Sequence, residues 1–501
     1  MSHAIRRAAA VLMTALSILS AFACFMAAPA LGSTPRIVAK TLDPNPVQYQ
    51  RCRITAQVLD NHGRGVSNVV VTFAWKIDGH VTAVVKAKTG PKGIAMSSGH
   101  VGGGVPWRLD SVGISARLAG KKLLAPAYFQ PLPAIWPGHP VTIRIGVAGP
   151  VTGGAGVLGQ GVARGALLAI RQFNASSTVS ALGINFMGMV ADDQGDPDVA
   201  VAAAKHLTAD PRLLGVEGHL NSACSIAASG LYTTARVPMV TPVSTNPELT
   251  QLGRANVFRA CANDNSQGSK GGLIAYGLGL HKAYVIDDSM PYGEGLANTF
   301  ATSFLATGGT VVDHVHTLDT DTTFTAVVTA VKNAKPDVVY YGGIYNGGAL
   351  LAQGLHDASV TATFMGDDGI FDPAFSGIAG SAAASGAVCT NIGYPVDHLP
   401  NGTDFLLAYA ARYGTQPEIY DAYAYDATRV ILSAILAEAQ TRGTWVLGLS
   451  GYKKETLARV AATNMAGVTG PVSFGAHGER QQQDISYYKM VSGAWAFQGM
   501  R

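Results

Sequence analysis

The sequence predicts an α/β protein with two doubly wound parallel sheets, preceded by a smaller all-β domain. From residue 141 onward, short apolar strands alternate with helices, which is typical of parallel sheets covered on both faces. About 360 residues of this pattern exceed one sheet, so two lobes joined by a hinge are expected. Residues 34–133 instead alternate apolar and polar residues between frequent turn signals, which predicts a β-sandwich.

The composition supports a folded protein of several domains. The chain has 501 residues, of which 48% are hydrophobic and 14% are charged, and this composition excludes a disordered chain. The formal net charge is +4, and it falls to +2 without Arg6 and Arg7. This balance gives no indication of a nucleic-acid partner.

The N-terminus has the features of a secretory signal peptide at residues 1–30. A basic pair, Arg6 and Arg7, precedes an apolar stretch at 8–26 and a cleavage signal at 28–30. The signal predicts a periplasmic location. An uncleaved anchor and lipoprotein processing at Cys24 remain open as alternatives.

The segment 34–133 contains candidate strands at 52–58, 69–75 and 112–118, with turns such as Asn61-His62-Gly63 between them. Part of this segment resembles bacterial immunoglobulin-like modules, namely the sequence PNPVQYQRCRITAQVLDNHGRGVSNVVVTFAW. The resemblance implies an immunoglobulin-like sandwich that acts as a spacer or adhesive unit. A proline-rich linker at 131–140 follows it.

The α/β part divides into regular units. Strands are predicted at 141–148, 184–191, 213–216, 237–240, 281–287, 309–316, 337–341, 363–365 and 387–390. Helices are predicted at 159–174, 198–209, 222–235, 266–278, 292–306, 324–333, 347–356, 401–412, 423–441 and 454–463.

Two strand-to-helix turns, LLGVEGHLNSACSIAA and VPMVTPVSTNPELT, carry the binding hypothesis. Both are rich in hydroxyl and amide side chains, namely Asn221, Ser222, Ser225, Thr241, Ser244, Thr245 and Asn246. Parallel sheets bind ligands beyond the carboxyl ends of their strands, where helix N-termini offer free N–H groups. The two turns therefore predict a seat for a small carboxylate.

No signal for catalysis or a cofactor accompanies these turns. The sequence has no G-x-S-x-G turn and no nucleophile–base pair beside the predicted seat, so we expect a binding protein and not an enzyme. Gly159, Gly161 and Gly165 invite a dinucleotide interpretation. That interpretation fails because eight residues separate Gly159 from the strand end at Pro150.

Two groups of residues have the chemistry of metal ligands, but we predict no metal site. We interpret Asp192, Asp193, Asp196 and Asp198 as a solvated loop at a strand end, with Asp198 near a helix start. His314 and His316 share a strand face, but no third ligand stands near them in sequence. We interpret them as a polar face.

Residues 141–501 resemble the periplasmic leucine/isoleucine/valine-binding proteins, the type I solute receptors of ABC importers. The matching stretches occur in order: IGVAGPVTG, ADDQGDPDVA, GHLNSACS, VPMVTPVSTNPELTQLG, NVFRACANDNSQG, PYGEGLA, PDVVYYGG, FMGDDG, AYAYDA and VTGPVSFGAHG. The resemblance implies one lobe from 141–265 with 392–470, and a second from 266–391 with 471–501.

The resemblance also implies a binding site. It assigns the ligand carboxylate to the hydroxyls of Ser222 and Thr245 and to the backbone of Val243, and the ligand ammonium to Asp368. It implies that aromatic rings cover the ligand. The further candidate residues are Tyr292, Tyr420, Leu220, Asn221, Leu158, Ile344 and Tyr345. Leu158, in a long loop, and Ile344 stand where the family often has aromatic residues, which leaves the side-chain preference open.

The expected function is capture of a small amino acid or similar carboxylate by hinge closure, and delivery to the membrane permease of an ABC importer. We expect a monomer without cofactors. The alternative is a ligand-sensing or adhesive ectodomain that serves a signalling partner. Of four cysteines after the signal, Cys224 and Cys261 are the best candidates for a disulfide.

Overall fold

A computed structural model describes residues 34–41, 51–77, 80–100, 111–125, 128–129, 141–418, 420–442 and 450–501. The predicted signal peptide and Cys24 lie outside the described residues, and so does the whole predicted linker at 131–140. The chain forms two compact units, Met1–Ala134 and Ile135–Arg501. Each unit is described by itself.

The first unit contains two small antiparallel sheets. Their strands are β1 (Arg36–Thr41), β2 (Arg51–Leu59), β3 (Val70–Ile77), β4 (His80–Lys88), β5 (Ile94–His100), β6 (Ser111–Leu118), β7 (Lys121–Leu124) and β8 (Tyr128–Phe129). One sheet has the order β1-β2-β5, and the other has the order β4-β3-β6-β7 with β8 beside β6. Alternate residues such as Ile54, Val71 and Phe73 form one apolar core, as the period of two predicts.

The second unit is built on two larger sheets. The first sheet contains β9 (Val141–Gly149), β10 (Ile184–Asp192), β11 (Leu213–Gly218), β12 (Met239–Thr241) and β13 (Val257–Arg259). Its order is β10-β9-β11-β12-β13, and every pair is parallel. Its central strand β11 is buried throughout because helices cover both faces of the sheet, and only Glu217 interrupts its apolar residues.

The second sheet is mixed. It contains β14 (Lys282–Asp287), β15 (Thr310–His316), β16 (Val338–Gly342), β17 (Thr363–Gly366), β18 (Val388–Ile392), β21 (Ile485–Val491) and β22 (Ala494–Met500) in the order β15-β14-β16-β17-β18-β21-β22. Its first five strands are parallel, whereas β21 pairs antiparallel with β18 on one side and with β22 on the other. A separate hairpin consists of β19 (Asn464–Gly467) and β20 (Gly470–Ser473).

Helices connect the strands on both faces. They are α1 (Gly156–Asn174), α2 (Ser177–Ala181), α3 (Pro197–Ala209), α4 (Ser222–Ala235), α5 (Glu248–Gln251), α6 (Asp264–Gly277), α7 (Pro291–Ala306), α8 (Thr325–Ala334), α9 (Tyr345–Asp357), α10 (Ala374–Ala379), α11 (Ser381–Ala384), α12 (Gly402–Tyr413), α13 (Asp421–Arg442) and α14 (Ser450–Ala461). Within the described ranges, none of these helices combines the length and apolarity that a bilayer crossing requires.

The structure corrects three details of the sequence prediction. Leu158 lies in the first turn of α1 and not in a loop, because that helix begins at Gly156. The strand β13 and the β21–β22 hairpin had no predicted bounds. Both depend on pairing with distant strands, which local periodicity does not encode.

The glycines of α1 serve helix packing. A Cβ atom on Gly161 would lie 2.2 Å from Oδ1 of Asp421, and one on Gly165 would lie 2.0 Å from the Asp421 carbonyl oxygen. These glycines therefore let α13 approach α1 at backbone distance. The spacing of these glycines is therefore explained by helix packing, and a nucleotide site is not needed to explain it.

The predicted Cys224–Cys261 disulfide is wrong. Cys224, Cys261 and Cys389 are free and buried. Cys224 lies on the buried face of α4, with Ala228 and Tyr232, whereas Cys261 belongs to a different apolar cluster. Burial raises the pKa of both thiols, which keeps them protonated and unreactive.

Candidate functional site

A cavity of about 510 Å³ lies between the two sheets of the second unit. Its lining comes from the segments that follow the carboxyl ends of β9, β10, β11 and β12 on one side, and of β14, β15, β16 and β17 on the other. This is where open parallel sheets place their ligands. We call the two sides the first wall and the second wall.

The first wall begins at the turn between β11 and α4. Leu220, Asn221, Ser222 and Ala223 line the cavity here. Asn221 has the extended backbone of an N-cap, but its side chain makes no capping bond, and its buried Oδ1 has no hydrogen-bond partner among the described residues. The first N–H groups of α4 therefore face the cavity without a side-chain cap.

A buried chain of hydrogen bonds supports this turn from behind. His219 Nδ1 lies 2.6 Å from Oδ2 of Asp193, and its Nε2 lies 3.0 Å from the Tyr232 hydroxyl. His219 and Asp193 are both wholly buried. Asp193 is thus part of this support. The sequence predicts a solvated residue here, and for Asp193 that prediction is wrong. Asp196 caps α3 by accepting from the Asp198 and Val199 N–H groups.

The second turn, after β12, is joined to the first through its hydroxyls. The Ser244 hydroxyl lies 2.7 Å from the Ser225 hydroxyl and also donates to the Leu220 carbonyl, at 2.9 Å. The Thr241 hydroxyl donates to the His219 carbonyl, at 2.8 Å. These hydroxyls hold the two turns at a fixed separation. Of the hydroxyl side chains in the two turns, only that of Ser222 lines the cavity, and Val243 lines it from the second turn.

Arg259 anchors the same turn from beneath. Its guanidinium is wholly buried, donates to the Asn246 carbonyl at 2.8 Å and also contacts the Ser244 carbonyl. It pairs with Glu479, at 3.1 Å. Burial alone would raise the pKa of Glu479, but the positive charge of Arg259 holds it below its usual value.

The second wall is centred on the carboxylate of Asp368, which is 1% exposed. The Tyr292 hydroxyl donates to Oδ1 of Asp368 at 3.0 Å, and the Tyr420 hydroxyl donates to Oδ2 at 2.8 Å. Tyr292 lies at the start of α7, beside the second sheet. Tyr420 directly precedes α13, a helix that packs against α1 and β11 of the first sheet. Asp368 therefore joins groups from both sides of the cavity.

Asp367 and Asp368 form a buried acid pair. Tyr292 also donates to Oδ1 of Asp367, at 2.7 Å. Burial raises the pKa of both carboxyls, and the charge of Asp368 raises that of Asp367 further, whereas the tyrosine hydroxyls act in the opposite direction. Of this pair, only Asp368 lines the cavity, so a cation bound there favours its ionised form.

The lining combines acidic and apolar side chains. Four aspartates, Asp288, Asp319, Asp321 and Asp368, line the cavity, and no Lys, Arg or His does so among the residues that the structure describes. Burial raises the pKa of Asp288 to about 7. The apolar lining consists of Ala155, Leu158, Leu220, Ala223, Val243, Met290, Pro291, Ile344 and Leu350.

Most of the predicted site residues meet at this cavity. Leu158, Leu220, Asn221, Ser222, Val243, Tyr292, Ile344, Asp368 and Tyr420 line it. Thr245 and Tyr345 are buried and do not line it. The Thr245 hydroxyl lies within hydrogen-bonding reach of the Asp264 carboxyl and lowers its pKa, against the larger effect of burial. The contact of Thr245 and Tyr345 with a ligand stays a prediction.

Sequence reasoning missed Asp288, Asn346 and the acids at 319 and 321. All of them follow a strand of the second sheet at its carboxyl end. A search of every predicted strand end, and not only of the two hydroxyl-rich turns, would have found them. The buried Oδ1 of Asn346 has no partner among the described residues, so it is available to a ligand.

Two sheets that enclose a cavity of this size, with helix N-termini on one wall and a buried carboxylate on the other, are typical of a solute-binding protein. Residues 142–494 match the family described as periplasmic binding protein. The chain belongs to this family. The resemblance that the sequence motifs carried is confirmed at that level.

Similar sequences agree. A Leu/Ile/Val-binding protein from Rhizobium johnstonii is 31% identical over 354 residues, which is 70% of this chain and 92% of that protein. A Leu/Ile/Val-binding protein homologue from Brucella melitensis is 30% identical over 332 residues, or 66% of this chain and 89% of that protein.

Solved structures show the same fold. A leucine-binding protein from Thermotoga maritima is similar with a TM-score of 0.64 and 27% identity, covering 72% of this chain and 98% of that chain. A solute-binding protein from Rhodopseudomonas palustris in complex with 4-hydroxybenzoate has a TM-score of 0.63 at 19% identity, over 72% of this chain and 97% of that chain. The fold thus accommodates different carboxylates.

Proposed function

We propose that this chain captures an amino acid with an apolar side chain, of the branched-chain kind, and presents it to the permease of an ABC importer. The observation that carries the choice of ligand is the contrast between the walls. One wall offers unpaired N–H groups and a hydroxyl, whereas the other offers a buried carboxylate. A zwitterion satisfies both.

The ligand carboxylate is assigned to the first wall. The N-terminus of α4 and the Ser222 hydroxyl supply hydrogen bonds and a favourable dipole. The backbone of Val243 and the hydroxyl of Thr245 complete the seat in our proposal. Thr245 is retained because the family resemblance assigns it to the seat, and its buried hydroxyl also lies within hydrogen-bonding reach of the Asp264 carboxyl.

The ligand ammonium is assigned to Asp368. A buried carboxylate without a cation is unfavourable, and two tyrosine hydroxyls only partly offset the lost hydration. An ammonium group supplies the missing charge. This requirement separates amino acids from simple aromatic acids. An aromatic acid brings a carboxylate without an ammonium to a cavity that four aspartates already line.

The apolar lining selects the side chain. Leu158 and Ile344 supply aliphatic surface where the family often has aromatic rings, and Leu350 lies nearby. Each buried CH₂ group of a ligand contributes about 0.8 kcal/mol. An aliphatic side chain such as that of leucine or isoleucine fits this surface without leaving polar atoms unpaired.

The two sheets are the cores of two lobes in our proposal, with the boundaries 141–265 with 392–470 and 266–391 with 471–501. Ligand binding favours the closed arrangement because Tyr292 and Asp368 contact the ligand only when they meet the first wall. The closed form then docks on the permease. Export by the predicted signal peptide places the protein in the periplasm, where we expect a monomer.

A matched ligand series tests this proposal. We expect L-leucine, L-isoleucine or L-valine to raise the melting temperature of the purified chain, and calorimetry to give binding at one site. The des-amino analogue 4-methylpentanoate and the des-carboxy analogue isopentylamine each remove one end of leucine. Both should bind at least 100-fold more weakly. Tighter binding of benzoate or 4-methylpentanoate than of every amino acid would overturn the assignment.

The structure of the first unit supports a second role for the chain, in addition to solute capture. Its two antiparallel sheets share one core, and the Trp75 indole N–H donates to the Ser97 hydroxyl across them, at 3.2 Å. We propose that it is an immunoglobulin-like sandwich that spaces the receptor or docks it on a signalling or surface partner. A truncated chain lacking residues 34–133 that still binds ligand, but no longer supports uptake or sensing in cells, would support this role.

A further inference from the structure

A second cluster of ligating side chains lies outside the cavity, at the edge of the second sheet. Asp287 ends β14, and His314 and His316 lie in the edge strand β15. Asp287 is paired in register with His316, and Val285 with His314. Because side chains two residues apart on a strand share a face, both imidazoles lie on the face of Asp287. We call these three residues the edge cluster.

The atoms of the edge cluster are close together. His314 Nε2 lies 2.8 Å from Oδ2 of Asp287, and His316 Nδ1 lies 2.9 Å from the same oxygen. One potential ligand atom from each residue falls within 4.8 Å of the others. The two imidazole rings have centroids 5.2 Å apart. The sequence did not reveal the third ligand because Asp287 is distant from the histidines along the chain.

The donor set fits a borderline transition metal. Zinc binds imidazole nitrogen and carboxylate oxygen at about 2.0–2.2 Å, so adjacent ligands of a tetrahedral ion are separated by roughly 3.4 Å. The observed separations need only small side-chain adjustments to reach this geometry. Two histidines and one aspartate leave a fourth position for water.

Burial and second contacts prepare the cluster for an ion. The Asp287 side chain is wholly buried, whereas those of His314 and His316 are 21% and 58% exposed, so solvent reaches the open side. The Ser289 N–H donates to Oδ1 of Asp287 at 2.9 Å. The Thr317 N–H and hydroxyl both donate to the Asp287 carbonyl, at 2.8 Å. The Ser289 bond fixes the carboxylate, and the Thr317 bonds fix the backbone that carries it, before any metal arrives.

We propose that Asp287, His314 and His316 form a zinc-binding site on the second sheet, separate from the solute cavity. None of the three residues lines that cavity, although the next residue, Asp288, does. The ion joins the edge strand β15 to β14 by bonds stronger than the histidine–aspartate hydrogen bonds they replace. Its expected effect is a more stable second sheet, whichever solute the cavity holds.

The test uses the tag-free full chain and zinc chloride. Calorimetry and chelator competition should show one zinc ion per chain, and cobalt(II) in its place should give the visible absorption of a tetrahedral site. His316→Gln alters an exposed ring and should weaken zinc binding at least ~10-fold. Asp287→Asn keeps the size of the side chain and should have the same effect. His206→Gln, at an exposed position of α3, is the matched control and should bind zinc as the wild type does.

The outcomes are decisive without reference to solute binding. Wild-type protein that takes up no zinc at 100-fold molar excess, or His316→Gln and Asp287→Asn variants that are folded by circular dichroism and bind zinc like the wild type, would overturn the proposal. Loss of binding in both variants, with His206→Gln unchanged, would establish the site even if no amino acid binds to the cavity.

Discussion

The two walls of the cavity are built from the same strand–turn–helix unit, but they use it differently. On the first wall the backbone faces the cavity, and hydroxyls such as Ser244 and Thr241 bind neighbouring carbonyls and hold the turns in place. On the second wall side chains face the cavity, led by Asp368 and two tyrosines. The difference shows that one fold can supply both signs of partial charge, which in our proposal holds the ligand in one orientation.

Removing the charge of the second wall is expected to have the largest effect. Asp368→Asn leaves the ligand ammonium buried without a counter-charge, and we expect affinity for L-leucine to fall roughly 100-fold or more. Calorimetry measures this directly. Asp319→Asn, at the exposed mouth of the cavity, is the control and should change affinity less than threefold. Equal effects of the two substitutions would show that Asp368 is not the specific partner of the ligand ammonium.

Removing a hydroxyl from the first wall should have an intermediate effect. Ser222→Ala deprives the ligand carboxylate of one hydrogen bond and should weaken binding by about 1–3 kcal/mol. Thr245→Val, an isosteric change, should cost the same if its hydroxyl reaches the ligand. An unchanged affinity in Ser222→Ala would contradict the carboxylate seat, whereas an unchanged affinity in Thr245→Val alone would place that hydroxyl outside it.

Tyr420→Phe sharpens the comparison because Tyr420 extends from the first-sheet side to the acid of the second wall. Loss of its hydrogen bond should weaken binding by about 1.5 kcal/mol, which is near tenfold. The same change raises the pKa of Asp368 further, and only the ionised carboxylate holds an ammonium. Binding should therefore decline at a higher pH than in the wild type as the pH is lowered. Calorimetry between pH 5 and pH 8 tests this, with Tyr394→Phe, a surface tyrosine, as the control.

Asp264→Asn should have the smallest effect on affinity and should act on stability instead. Burial raises the pKa of Asp264 to about 8, far above its unfolded value. Between about pH 4 and pH 8 the folded state therefore holds a proton on Asp264 that the unfolded state has released. Because of this difference, the free energy of unfolding declines as the pH rises through that range, by at most roughly 1.4 kcal/mol per pH unit. Melting curves of Asp264→Asn should show a flatter pH dependence, and an unchanged slope would contradict the assignment.

The sequence predicted what is local and missed what depends on pairing. The strand-to-helix turns at Ser222 and Val243 have short-range signals, and the structure brings both to the cavity. Asp287 meets His314 only because β14 and β15 lie side by side. Likewise, no local pattern indicates that Thr245 is buried, or that Cys224 and Cys261 belong to different cores.

The glycine contact between α1 and α13 has a consequence for redesign. Gly165 touches no part of the cavity, yet the close backbone approach that it permits sets the position of Asp421 and thereby of Tyr420, its neighbour. An alanine there would push the start of α13 outwards and alter the pairing of Tyr420 with Asp368. Gly165 is therefore a remote position for retuning solute selectivity in an engineered biosensor, with every solute-contacting side chain left intact.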